Sequence, residues 1–197
     1  MHLHSLTFQA IGPFAGLHHV DLASLGASGI YLLDGPTGAG KSTVIDAIVF
    51  ALYGKVASEA ASDDRLRSAF AAPDVESFVD LVLEVPSGVY RVRRTPEYRR
   101  PKKRGTGTTT QQASVRLWRL AGVPSPEAFA GVDGPPGELL SARLDEAGEE
   151  IRRIVGLDRR QLVQTVVLPQ GEFATFLRAK PEDRAVLLQK VFGTEIY

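Results

Sequence analysis

No cysteine occurs in the 197-residue sequence, which excludes disulfides and thiolate metal sites and fits a reducing cytosol. Net charge is missing as well: 23 Lys and Arg balance 23 Asp and Glu. Global charge therefore singles out no nucleic-acid or membrane partner, although a neutral total can hide local patches. No stretch approaches the roughly 20 apolar residues that a membrane-spanning helix requires. The start, Met1-His2-Leu3-His4-Ser5-Leu6, alternates in polarity and lacks the continuous apolar run of a signal peptide. These absences predict a cytoplasmic protein with no membrane partner. What is present suits a globular core: 44% of residues are hydrophobic and 23% charged, and the length fits one large domain or a domain plus a subdomain.

Along the chain, Leu3, Phe8 and Ile11 suggest a strand that turns at Gly12-Pro13, followed by a second strand over His18–Leu22. Ile30-Tyr31-Leu32-Leu33 reads as a short buried strand stopping at Asp34-Gly35. From Lys41 the apolar residues Val44, Ile45, Ala47, Ile48, Val49, Ala51 and Leu52 cover nearly all faces of a helix that Gly54 ends. Phe78–Val85 and Val89–Arg94 predict a hairpin around Pro86-Ser87-Gly88, and Ser114–Leu120 a further strand. Thr95–Gln112 and Ala121–Gly137, rich in proline and glycine, read as loops. Leu140, Leu144, Ala147, Ile151 and Ile154 recur at helical spacing before Gly156, and a last helix starts at Pro181 and ends near Gly193. The mixture is α/β.

The chemistry concentrates in Gly35-Pro36-Thr37-Gly38-Ala39-Gly40-Lys41-Ser42, a full match to G-x-x-x-x-G-K-[ST]. Glycines permit the turn that aims backbone N–H groups inward, and the following helix start favours an anion. Lys41 then reaches the β- and γ-phosphates and the Ser42 hydroxyl ligates Mg2+. A strand before and a helix after are the context such a loop needs, and both are predicted here. The acidic half of a hydrolytic site is missing. Its usual form is an apolar strand ending in Asp, often followed by Glu. Asp80 sits inside an alternating strand and Asp133 in a Gly/Pro loop, so both read better as solvent-facing carboxylates.

Residues 91 to 104 hold Arg91, Arg93, Arg94, Arg99, Arg100, Lys102, Lys103 and Arg104, opposed only by Glu97. Two readings stay open: a contact to DNA phosphates, or a solvated loop, with Arg91 or Arg93 pairing with acids on their shared strand face. Asp46, one turn into the helix, reads as an ordinary polar position rather than a ligand of the Mg2+ shell. His2, His4, His18 and His19 match no zinc spacing.

GPTGAGKST at Gly35–Thr43, continued by Asp46-Ala47-Ile48 and Phe50-Ala51-Leu52-Tyr53-Gly54, resembles the bacterial SbcC family. Gly12-Pro13-Phe14, Arg65-Leu66-Arg67-Ser68, Tyr90–Arg94 with Arg100–Gly105, Gly156-Leu157-Asp158, Leu168–Phe173 and Phe192–Tyr197 extend the resemblance in order along the chain. Thr37, where archaeal and eukaryotic relatives carry asparagine, fits the bacterial branch. The resemblance implies an ABC-type, SMC-like P-loop NTPase half-head over residues 1–197. In it a mixed sheet surrounds the P-loop helix beside an antiparallel β subdomain, and a coiled coil starts near residues 193–197. It gives residues 89–112 as a basic hairpin and loop, and Arg99, Arg100, Lys102, Lys103 and Arg104 as the DNA-binding candidates. It also gives residues 168–173 as the Q-loop, with Gln170 at Mg2+ or the attacking water, and Gly35–Thr43 as the ATP cradle. The C-terminal lobe of the same ATPase would supply the acid, a second head would complete a homodimer, and an SbcD-type nuclease would act on double-stranded DNA. A head of another SMC-like or RecN-like tethering ATPase, a P-loop kinase and a nucleotide-binding scaffold without turnover are the rival readings.

Overall fold

The computed structural model describes residues 1–26, 32–57, 66–102, 104–125, 128, 134–163 and 167. The chain divides into two compact units, Met1–Val155 and Gly156–Tyr197. The first begins with strands β1 (His2–Ile11) and β2 (Phe14–Asp21), then helices α1 (Leu22–Leu25) and α2 (Lys41–Tyr53). It continues through β3 (Phe78–Val85), β4 (Gly88–Thr95), β5 (Tyr98–Pro101), β6 (Thr108–Gln111), β7 (Ser114–Leu120), β8 (Glu138–Ser141) and helix α3 (Leu144–Val155). In the second unit, α4 (Arg159–Leu162) is opened by Asp158, whose carboxylate accepts from the Gln161 N–H while the Gln161 side chain accepts from the Asp158 N–H.

Among the described residues six strands form one sheet in the order β2-β1-β3-β4-β7-β8, and β5 pairs with β6 separately. The register aligns Phe8 with Val79, Leu6 with Leu81, Leu81 with Val92, and Val92 with Leu117. These side chains share one sheet face and are fully buried. Helices α2 and α3 add Ala47, Phe50, Ala51, Ala147 and Ile151 to the buried set, which accounts for the all-round apolar character of α2. Alternate positions form the opposite face, where Asp80 aligns with Arg93 and Arg91 with Trp118.

Every pairing among the described residues is antiparallel, against the expected mixed sheet. Short turns at Gly12-Pro13 and Pro86-Ser87 join β1 to β2 and β3 to β4, and such turns permit only antiparallel neighbours. The expected buried strand over Ile30–Leu33 does not form at its described end. Leu32 and Leu33 lie in irregular backbone, 89% and 47% exposed, because no described strand pairs with them or covers their side chains. Thr95–Gln112, read as loop, contains the β5–β6 hairpin. Its threonines suit a strand, and Pro101 closes β5 at the end of a two-stranded ribbon, where a missing N–H is tolerated. Leu140 belongs to β8, not to the helix, which starts at Leu144. The helix expected from Pro181 lies outside the described residues.

Candidate functional site

Gly38 and Gly40 adopt φ of 85° and 91°, left-handed conformations that side chains rarely tolerate. They turn the loop sharply into α2, which starts at Lys41 with Gly40 as its N-cap. Among the described residues no side chain caps that helix start, and its first turn holds no acid, so the positive end of the helix is left for an external anion. The Ala39 N–H donates to the Pro36 carbonyl at 3.2 Å, and the Val44 N–H donates to the Gly40 carbonyl at 3.3 Å as the first helical bond. Lys41 folds back over the loop, its Nζ donating to the Gly35 carbonyl at 2.5 Å and the Pro36 carbonyl at 2.9 Å. Among the described residues no carboxylate pairs with Lys41. Pro36, Thr37, Gly38, Ala39 and Ser42 are exposed, and Gly35, Gly40, Lys41 and Thr43 are half-buried. A glycine-turned loop, a helix start that no described side chain caps and an ammonium tied to carbonyls fit the phosphate chain of a nucleoside triphosphate.

The β1–β2 turn seats this loop, a role that nothing in the local sequence signals. A Cβ on Gly40 would come within 2.5 Å of the Phe14 ring and 2.8 Å of Pro13. A Cβ on Gly12 would meet the Thr43 methyl at 2.6 Å. Phe14 is itself held edge-on against Phe8, with ring centroids 5.1 Å apart. The turn is tied down on its other side, where the Gly12 N–H donates to the Leu66 carbonyl and the Ser68 N–H to the Ala10 carbonyl. The far end of α2 is equally fixed. Gly54 caps it, and Arg94 donates from Nε to the Ala51 carbonyl at 2.7 Å and from Nη2 to the Leu52 carbonyl at 3.1 Å. Burial pushes the Arg94 guanidinium down to about 10, so it stays charged at neutral pH. Asp46 accepts from the Ala57 N–H at 3.0 Å and closes the turn after the helix, in keeping with its reading as a structural position.

The basic stretch separates into structural and accessible groups. Arg91 is buried and donates from Nε and Nη2 to Asp80 at 2.9 and 2.6 Å and from Nη1 to the Pro135 carbonyl at 2.7 Å. Its guanidinium also lies 4.5 Å from the Trp118 ring centre. Asp80 is therefore a buried ion-pair partner, not the solvent-facing carboxylate expected. Cross-strand geometry on a covered face turns it inward. Arg93 stacks on Phe78 and lies 3.5 Å from Glu76 and 3.8 Å from Asp80. Arg99, Lys102 and Arg104 are exposed, whereas Arg100 is half-buried and donates to Gln111 Oε1 at 3.0 Å. Lys103, Asp133, Gln170 and the Q-loop around it lie outside the described residues.

A family model described as an AAA domain matches residues 5–196. Among curated proteins, the C subunit of the SbcCD nuclease of Vibrio cholerae is 35% identical over 192 residues, covering 98% of this chain and 18% of that relative. Its namesake from Treponema pallidum is 34% identical over 193 residues, covering 98% and 17%. That of Lactococcus lactis is 33% identical over 178 residues, covering 90% and 16%. The chain thus spans about a sixth of the length of these relatives.

Proposed function

The chain belongs to the AAA-domain family as an N-terminal ATPase lobe of the SbcC type, and from that premise we propose that it binds Mg-ATP through Gly35–Thr43 in a DNA-repair ATPase that controls a partner nuclease. The observation that carries the reading is the loop itself, whose glycine turns lead into an uncapped helix start with Lys41 folded over it. Lys41 exchanges the Gly35 and Pro36 carbonyls for β- and γ-phosphate oxygens, which are stronger acceptors because they carry charge. The N–H groups at the start of α2 hold the phosphate chain from the other side, and the Ser42 hydroxyl ligates Mg2+. Gln170, in a Q-loop over residues 168–173, orients the attacking water or completes the metal shell. Bound Mg-ATP supplies the phosphoanhydride whose cleavage separates two states of the head, and it biases them only by its different affinity for each.

Residues 1–197 act in this reading as one lobe, continued by a coiled coil from about residues 193–197. The C-terminal lobe of the same ATPase supplies the acid, a second head closes over the nucleotide, and an SbcD-type nuclease receives the motion at DNA ends and hairpins. The basic hairpin and loop, residues 89–112, face double-stranded DNA through Arg99, Arg100, Lys102, Lys103 and Arg104. Titration calorimetry with Mg-ATP tests the premise. The natural chain binds, and Lys41→Ala removes binding while leaving the far-UV circular dichroism spectrum unchanged. Micromolar affinity retained by Lys41→Ala would overturn the reading.

A further inference from the structure

Between the segment of residues 66–77 and the β5–β6 hairpin lies a cleft of about 650 Å3, to which Arg67, Ser68, Glu97, Tyr98, Arg99 and Thr110 contribute. We propose that this cleft takes an unpaired nucleic-acid strand, with phosphate against Arg99 and Arg67 and a base against Phe70. The proposal rests on the DNA-directed reading above and deepens it. Arg67 is held rigidly: Nη1 donates to the Val75 carbonyl at 2.8 Å, Nη2 to the Ala72 carbonyl at 2.9 Å, and the guanidinium lies 4.2 Å from the centre of the Tyr98 ring. Tyr98 is fixed in turn, its hydroxyl accepting from the Ser77 N–H at 3.3 Å. Carbonyls leave the Arg67 charge uncancelled, and no described carboxylate pairs with Arg99, so two cations face one acid, Glu97. Ser68 and Thr110 add hydroxyls suited to phosphate oxygens.

A second cleft that Tyr98 also lines, of about 490 Å3, contains Arg100 and Lys102 but also Asp74 and Glu76. Its charges cancel, so the first cleft is the better phosphate site. Phe70 lies between Ala69 and Ala71, which both line the first cleft, and it is 76% exposed. A large aromatic ring held in water beside a cationic groove is the arrangement on which unpaired bases stack. In a duplex the bases already stack on each other, and a concave space of this size admits a splayed nucleotide more readily than a double helix.

Fluorescence anisotropy on the 197-residue chain distinguishes the possibilities, using labelled oligo(dT) and a blunt duplex of equal length. Phe70→Ala is expected to weaken oligo(dT) binding about tenfold and duplex binding less than twofold. Arg99→Gln should flatten the oligo(dT) salt dependence by about 0.7 in slope. Because Phe70 is exposed, its variant should keep the natural melting temperature, which a thermal melt verifies. Equal losses on both ligands, or none, would overturn the unpaired-strand site. If Lys102→Gln with Arg104→Gln weakens duplex binding while Phe70→Ala changes nothing, the cleft proposal alone fails. If the natural chain binds neither ligand, the DNA-directed reading fails with it.

Discussion

At the residue scale, the Asp80–Arg91 pair is a buried ion pair between β3 and β4. Both side chains are nearly inaccessible, 7% and 4% exposed. Removing one partner of a buried pair leaves the other charge without compensation, which costs about 3–5 kcal/mol, whereas replacing both with apolar residues of similar size is often neutral or better. Asp80→Asn should therefore lower the urea-unfolding free energy by roughly that amount, and Asp80→Leu combined with Arg91→Met should recover most of it. A double variant as unstable as the single one would show that the pair contributes more than charge compensation. That Arg91 or Arg93 pairs with an acid was legible from their shared strand face, but that the acid is Asp80 was not, because Asp80 lies opposite Arg93 and reaches Arg91 diagonally only once β3 and β4 pair. The P-loop was legible for the opposite reason, since its glycines, Lys41 and Ser42 act within eight consecutive positions. Gly12 and Phe14 carry no such local signature. Their importance comes from a close approach to Thr43 and Gly40, which are 31 and 26 positions further along the chain.

At the scale of elements, α2 is a strut fixed at both ends. The β1–β2 turn wedges its first residues and Arg94 holds its last carbonyls. Those carbonyls have no helical partner, and a buried cation satisfies them while favouring the negative end of the helix. Arg94→Met keeps the aliphatic volume but removes both donors, so a loss of about 2–3 kcal/mol is expected in urea unfolding, with Arg94→Lys falling between. The sign of the pH dependence follows from the lowered value of about 10. Below it the folded and unfolded states both carry the proton, and stability rises with pH only between that value and the ordinary arginine range. The loss from Arg94→Met should thus be the same at pH 6 and pH 8. A loss that changes between them would assign the effect to another group. The helix was legible from its apolar residues and Gly54. The β5–β6 hairpin was not, because Pro96, Pro101, Gly105 and Gly107 signal a loop, whereas its strands depend on cross-strand pairing of Arg99 with Thr110 and Arg100 with Thr109.

For the molecule as a whole, the phosphate-binding side and the acid-supplying side of the reaction are unequally represented. The sequence contains a complete P-loop but no apolar strand ending in an Asp-Glu pair. Leu32, Leu33 and Ile45, near the loop in sequence, are 89%, 47% and 41% exposed, a concentration of apolar side chains that a second polypeptide segment would cover. Nucleotide binding and turnover should therefore separate. The 197-residue chain alone is expected to bind Mg-ATP yet release phosphate at least about a hundredfold more slowly than the same chain mixed with a C-terminal ATPase lobe, since a positioned general base contributes about 10²–10⁴ in rate. Phosphate release under single-turnover conditions, with and without the added lobe, measures this directly. The added lobe should also raise the melting temperature, because whatever binds the folded state alone stabilises it. If the isolated chain turns over at the rate of the mixture, its own residues complete the site and the division of labour between two lobes is wrong. If the lobe raises the melting temperature without raising turnover, the two segments associate but the acid comes from elsewhere.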